Sequence, residues 1–310
     1  MIAELLTANV ILGILTSGIR LATPYLYAAI GETFGQRSGV LNLGVDGIML
    51  LGAYAAFYAV FTTNSLMLGI LAAMVIGAAM GLAMAFISVT LQAEQGISGI
   101  GVYLFGLGMS DLLFQKTLGS VETISGFPDV TIPLLGQIPV IGEVFFQHNV
   151  LVYGAYLLVP VAWFVLNKTT VGLKIRAVGE NPEAADSLGV SVATVRYFTV
   201  TLGGLLSGVA GASLSIALLN VFQQNMTAGL GFIAVALVYF GGWRPHGVLF
   251  GALIFSLVNA LQVWVQVLGI PIPSDFAVMM PYVLTIVVLV FTVQRVRQPS
   301  ALTKAYERGE

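Results

Sequence analysis

The chain has 310 residues, of which 58% are hydrophobic and 8% charged. Soluble domains are about one quarter charged, so a soluble globular class is excluded and a polytopic helical membrane protein is the default. The net charge of −2 gives no reason to expect a nucleic-acid partner, and the lack of cysteine excludes disulfides, thiolate metal sites and cysteine catalysis. His148 and His246 are the only imidazoles and lie far apart, so no metal site and no cofactor are expected in this chain. The start lacks the basic region of a signal peptide, with Glu4 its first charge, so the first apolar segment is expected to be retained.

The first predicted span covers residues 9–31 and contains Arg20; a polar link, Glu32 to Arg37, follows. A second span is expected from Gly39 to Phe61, and residues 37–54 read RSGVLNLGVDGIMLLGAY. Asn42 and Asp46 are four apart and share a helix face. An intramembrane Asp costs about 2.5–3.5 kcal/mol, which makes Asp46 a candidate for the solute path. The competing reading leaves it solvated near a span end, or paired with Arg20 or Arg37. Residues 62–65 form a turn, the third span runs over 66–90, a link occupies 92–96, and the fourth span covers 98–115. Residues 116–148, with Pro128, Pro133 and Pro139, are a long excursion expected to lie on the membrane surface or fold back. The fifth span covers 149–166.

A polar island, KTTVGLKIRAVGENPEAADSLGVSVATVR, runs from Lys168 to Arg196. Asn181 is a good N-cap, Pro182 suits the first helical position and Glu183 favours the positive end of the dipole. Ala184, Ala185, Asp186, Ser187 and Leu188 continue the helix, and Gly189 is a left-handed stop. A helix this short needs a surface to dock on, so it is either a docking element for a partner or an ordinary loop. The sixth span covers 197–221, QQN at 223–225 is a turn, and the seventh, 227–241, is short enough to be tilted or broken. Trp243 to Gly247 form a loop. The eighth span, 248–268, carries Ser256, Asn259, Gln262 and Gln266 on one face, which suits a path for a polar neutral solute or bonding to a neighbouring helix. PIPSD at 271–275 is a turn, and the ninth span covers 277–293.

The Gly77/Gly81, Gly204/Gly208 and Ser207/Gly211 pairs have the spacing of close helix packing. GLGF at 229–232 and NLGV at 42–45 are a faint internal echo. With the island cytoplasmic, strict alternation puts Arg37, Lys168, Lys174, Arg176, Arg196, Arg244, Arg295, Arg297, Lys304 and Arg308 inside and only Lys116 outside. Nine spans put the N-terminus outside; ten, with residues 1–31 split near Arg20, put it inside. There is no phosphate-binding G-x-x-x-x-G-K-[ST] loop, HExxH or GxSxG.

Three segments carry a resemblance: GETFGQRSGVLNLGVDGIMLLGAY (31–54), GLKIRAVGENPEAADSLGVSV (172–192) and GLGFIAVALVYFGGWRPHGVLFGALIF (229–255). Together they resemble the branched-chain amino acid/ribose-type permeases of ABC importers, and within them the nucleoside permeases of the guanosine or "simple sugar" type. Asp46 stands where Glu is the commoner family residue; the carboxylate is kept. The resemblance implies an all-α, type II importer-like bundle over residues 1–310 in the cell membrane, with a cytoplasmic C-terminus. It implies a second permease subunit, in a heterodimer before a homodimer, and cytoplasmic ATPase subunits that hold ATP and magnesium. It also implies an extracytoplasmic solute-binding lipoprotein. The island matches the ATPase-coupling loop, with Asn181, Pro182, Glu183, Ala184, Ala185, Asp186 and Gly189 as coupling residues. Asn42, Asp46, Asn259, Gln262 and Gln266 are the expected path residues. The solute expected is a nucleoside, with a branched-chain amino acid or simple sugar as alternatives. An ion-coupled secondary transporter and a passive channel are the competing classes.

Overall fold

The computed structural model describes residues 7–269 and 297–307, and scattered positions between 276 and 290. The expected turn at 271–275 and most of the expected ninth span lie outside the described residues. Among the described residues, seven helices are long and apolar enough to cross a membrane. They are α1 (Ala8–Arg37), α2 (Val45–Thr63), α3 (Leu66–Ala85, continued by a π-turn over Phe86–Thr90) and α4 (Gln95–Thr117). The others are α6 (Val150–Lys168), α9 (Val192–Ser213, continued by a π-turn over Leu214–Leu218) and α11 (Pro245–Val267). Between them lie the short helices α5 (Ile141–Phe145), α7 (Thr170–Glu180), α8 (Pro182–Ser187) and α10 (Leu230–Phe240).

Many helix starts are capped by the residue the sequence offers there. The side chains of Ser65, Asn149, Thr169, Asn181 and Ser191 each accept a bond from a backbone N–H in the first turn. Glu94 caps α4, and the N–H groups of Ile97 and Gly96 hold its carboxyl below the ordinary range.

Helix α9 forms the middle of the bundle and packs on α3, α1 and α2. Its contact with α3 is built from two small-residue pairs that meet each other. A Cβ on Gly77 would lie 2.9 Å from the Gly208 Cα, and one on Gly81 would lie 2.9 Å from the Gly204 Cα. In lipid such close backbone approach replaces the hydrophobic drive that water would supply.

Three expectations are corrected. Residues 8–37 form one helix that runs through Arg20 and Pro24, so the split that would have made ten spans is not seen, and the expected link at 32–37 is helical. The second helix starts at Val45 rather than Gly39. Residues 39–44 instead turn back along α1, where the Asn42 N–H donates to Glu32 Oε1 at 2.9 Å. The polar island holds two helices, α7 and α8, and α9 begins at its end.

The connections sort to two ends of the bundle. At one end, Pro299–Tyr306 reach the α7 end, the Ser38–Gly39 turn and the Gln92 link: Ala301 N–H donates to the Gly179 carbonyl at 2.9 Å, Thr303 N–H to Gly39 at 3.1 Å, and Gln92 Nε2 to Tyr306 at 3.3 Å. Arg37 Nε donates to the Trp243 carbonyl at this end as well, at 3.0 Å. At the other end the 116–148 excursion folds back, with a two-strand ribbon, β1 (Val130–Thr131) on β2 (Gln147–His148). There the Ile124 N–H donates to Asn220 at 3.0 Å and the Phe127 N–H to Ile216 at 3.1 Å. Arg20, expected inside a span, reaches Asp129 of this excursion at 3.5 Å.

Candidate functional site

The NLGVDG segment delivers Asp46 into the first turn of α2, with the side chain fully buried. The segment TAGLGF, residues 227–232, opens α10 and brings a second helix N-terminus to the same point. Asp46 Oδ1 accepts from the Gly231 N–H at 2.8 Å and Oδ2 from the Thr227 hydroxyl at 3.1 Å. The carboxylate thus caps a short helix: the Leu230 and Phe232 N–H groups bond within the turn, to the Thr227 and Gly229 carbonyls, while that of Gly231 is met by Asp46. Gly231 is required by closeness: a Cβ there would strike the backbone of Asp46. Gly229, at φ 89°, makes the left-handed turn into α10. The two stretches that echo each other in sequence therefore meet in space. The seventh apolar segment, expected over 227–241, is one short helix of 11 residues, preceded by a non-helical stretch over 219–229.

Asn42 is buried beside this junction. Its Oδ1 accepts from the Gly44 N–H at 2.8 Å, which shapes the turn into α2. Below it lies a polar cluster that the sequence reading missed. Glu32, 3% exposed, accepts at Oε1 from Gln36 Nε2 at 3.0 Å as well as from Asn42. Gln36 Oε1 accepts from Trp243 Nε1 at 2.7 Å. Glu32 and Gln36 are four apart, and that spacing was the available signal. The chain bond to Trp243 has none.

The expected path residues divide. Asn42 and Asp46 are buried and satisfied within the chain. On α11, Ser256 is buried and bonds its own helix, while Asn259 and Gln262 are half-buried and Gln266 is exposed. Asn259 is a hydrogen-bond partner of the Tyr25 hydroxyl on α1. The structure does not join this stripe to the Asp46 junction by any hydrogen bond among the described residues.

The island has the local form its residues dictate. Asn181 Oδ1 accepts from the Ala184 N–H at 3.0 Å, Pro182 starts α8, and Gly189 sits at φ 83°. Ala185 is buried against Val178 and Val192, so it fastens α8 to its own chain. Glu183, Ala184, Ser187 and Leu188 are exposed, Leu188 at 84%. Leu188 closes the helix as its C-cap and stays bare, although Ala185 holds the helix in place. Helix α7 leads into it, with Val171 and Leu173 exposed, and Lys168 lies 5.9 Å over the Trp163 ring at the end of α6.

The family described as branched-chain amino acid transport system / permease component matches residues 14–289. A putative glucose ABC transporter permease of Haloferax volcanii is 38% identical, with 96% of this chain and 98% of that protein covered. The guanosine ABC transporter permease NupQ of Bacillus subtilis is 35% identical, over 93% and 94%. The nucleoside ABC transporter permease NupC of Lactococcus lactis is 37% identical, over 90% and 92%. The same two bacteria each hold a second, more distant relative, the guanosine permease NupP at 26% and the nucleoside permease NupB at 25% identity. No solved structure matches the chain.

Proposed function

The chain belongs to the family of branched-chain amino acid transport permease components, and we propose that it carries a nucleoside into the cell as one permease subunit of an ATP-binding cassette importer. The observation that carries the importer reading is α8: a capped helix, anchored by Ala185, that presents Glu183, Ala184 and Leu188 outward at the basic end of the bundle. Such a surface suits the groove of an ATPase subunit. ATP and magnesium belong to that subunit, since this chain has no phosphate-binding loop of its own. The nucleoside relatives, each from a bacterium with a second permease relative, support nucleoside as the solute and a heterodimer of two permeases. A sugar is the second reading, favoured by the Haloferax relative. An extracytoplasmic binding lipoprotein would deliver either solute. Asn259, Gln262 and Gln266 are the polar groups proposed for the path, and Asn42 and Asp46 support it from within.

The basic end is proposed as cytoplasmic, with the tail from Arg297 on that side and the 116–148 excursion outside in a cell membrane. Cysteines at Ser187 and Ser120 should react with an impermeant reagent from opposite sides; reaction from one side would refute the orientation.

The function is tested by uptake of labelled guanosine, glucose and leucine in cells expressing the permease pair, ATPase and binding protein. Guanosine uptake that needs a functional ATPase is expected; uptake of glucose or leucine alone would replace the solute. Ala184→Trp should insert normally but lose co-purification with the ATPase and most uptake, because an indole on this surface blocks close approach. A variant that keeps both would leave α8 an ordinary loop.

A further inference from the structure

We propose that Arg196 is a positioning residue that carries movement of α8 to the NLGVDG segment, with the C-terminal tail as the third member of the joint. The inference rests on the reading of α8 as the ATPase contact. Arg196 stands in the second turn of α9, the helix that α8 leads into, and is 2% exposed. Burying a guanidinium is costly, and simple packing there would be served by a hydrocarbon side chain. Among the described residues no carboxylate pairs with it.

Its bonds go instead to two distant stretches of backbone. Arg196 Nε donates to the Ser38 carbonyl at 3.2 Å and Nη1 to the Lys304 carbonyl at 3.0 Å. The turn is tied again to α9 and to the tail. Ser38 Oγ and Thr199 Oγ1 share a bond of 2.7 Å, and the Thr303 N–H donates to the Gly39 carbonyl at 3.1 Å. Gly39, at φ 95°, has no room for a side chain: a Cβ would lie 2.9 Å from the Ala301 carbonyl and 3.0 Å from Arg196 Nη2. The tail also reaches the other flank of α8, through Ala301 to Gly179 and through Ser300 Oγ to Glu180 Oε2 at 3.1 Å.

Both flanks of α8 are therefore fastened to Ser38–Gly39. From there the chain runs directly into Asn42 and Asp46. A push on α8 can move this turn only if α9, the tail and the turn move as one body. Among the described residues, Arg196 is the one side chain that bonds both the turn and the tail.

The test uses the complete permease pair with its ATPase and binding protein in proteoliposomes, reading guanosine imported per ATP hydrolysed. Arg196→Met keeps the bulk and loses both bonds. It should retain the ATPase subunit and hydrolysis while import per ATP falls about tenfold, in the range of ordinary coupling energies. Arg196→Lys keeps the charge but cannot fork to two carbonyls, and should recover part of the loss. Thr303→Pro unseats the tail from the exposed side, because proline cannot adopt the φ of 66° found there. It should give the same signature, which keeps the inference testable if Arg196→Met does not accumulate. The double variant should be no worse than the poorer single one. Parental import per ATP in Thr303→Pro and in either Arg196 variant would overturn the inference. A parent complex that imports without ATP or holds no ATPase would overturn the importer reading instead.

Discussion

Asp46→Ala is expected to lower uptake by about tenfold or more, with the protein still inserted in the membrane. The substitution removes the acceptor of the Gly231 N–H and of the Thr227 hydroxyl at the start of α10. The hydroxyl can turn to another acceptor; the backbone N–H cannot. An orphaned buried donor costs about 1–3 kcal/mol, and lost charge at a helix N-terminus adds about 0.3–1 kcal/mol. Since about 1.4 kcal/mol is tenfold in an equilibrium, the population with α10 seated on α2 should fall by that order. Asp46→Asn separates shape from charge. Its amide oxygen can still accept from Gly231 and its NH2 can donate to a turned Thr227 hydroxyl, so uptake should stay within about threefold of the parent. Equal loss in the Asn and Ala variants would mean that the charge itself is used in transport. Full uptake by Asp46→Ala would show that the junction does not matter to function. Radiolabelled uptake, normalised to permease in the membrane, decides among these.

Gly204→Leu should prevent the bundle from forming. A Cβ at this position would lie 2.5 Å from the Gly81 Cα, and the obstacle on α3 is backbone, which cannot rotate aside. Helix α9 would have to withdraw from α3, and with it from α1 and α2, the helices it joins. Overpacking costs about 1–3 kcal/mol where side chains can adjust, so a backbone clash at the centre belongs at or above the top of that range. The expected result is little monodisperse protein in detergent and rapid proteolysis of what remains. Gly101→Leu is the control on α4, where a Cβ meets nothing within 4 Å. Comparable yields of the two variants would refute close packing of α3 on α9.

The sequence by itself determined what short-range signals encode. Hydropathy located the long helices, because crossing a bilayer requires about 20 apolar residues in a row, although α1 runs on to Arg37 and α2 starts only at Val45. The start and stop of α8 were legible because Asn181, Pro182 and Gly189 act on their own turn of backbone. The basic residues divided the connections into the two groups that the structure gathers at opposite ends. Glycines four apart announced close packing, although not that Gly77 and Gly81 meet Gly204 and Gly208.

Only the tertiary structure decided how the segments interlock. That α2 starts at Val45 depends on Asn42 finding Glu32 in α1. That Asp46 is a cap for α10 depends on a bond to Gly231, 185 residues away. Ala184 and Ala185 look alike in sequence, yet one faces outward and the other fills the core between α7 and α9. Arg196 read as one more basic residue of a polar island, and is buried under a tail that begins a hundred residues later. Periodicity tells which residues share a face but not which face turns inward, and lipid, being as apolar as the helix flanks, supplies no hydropathic contrast to reveal it. That choice is made by mutual fit and by the need of each buried polar group for a partner, and both are properties of segments brought together.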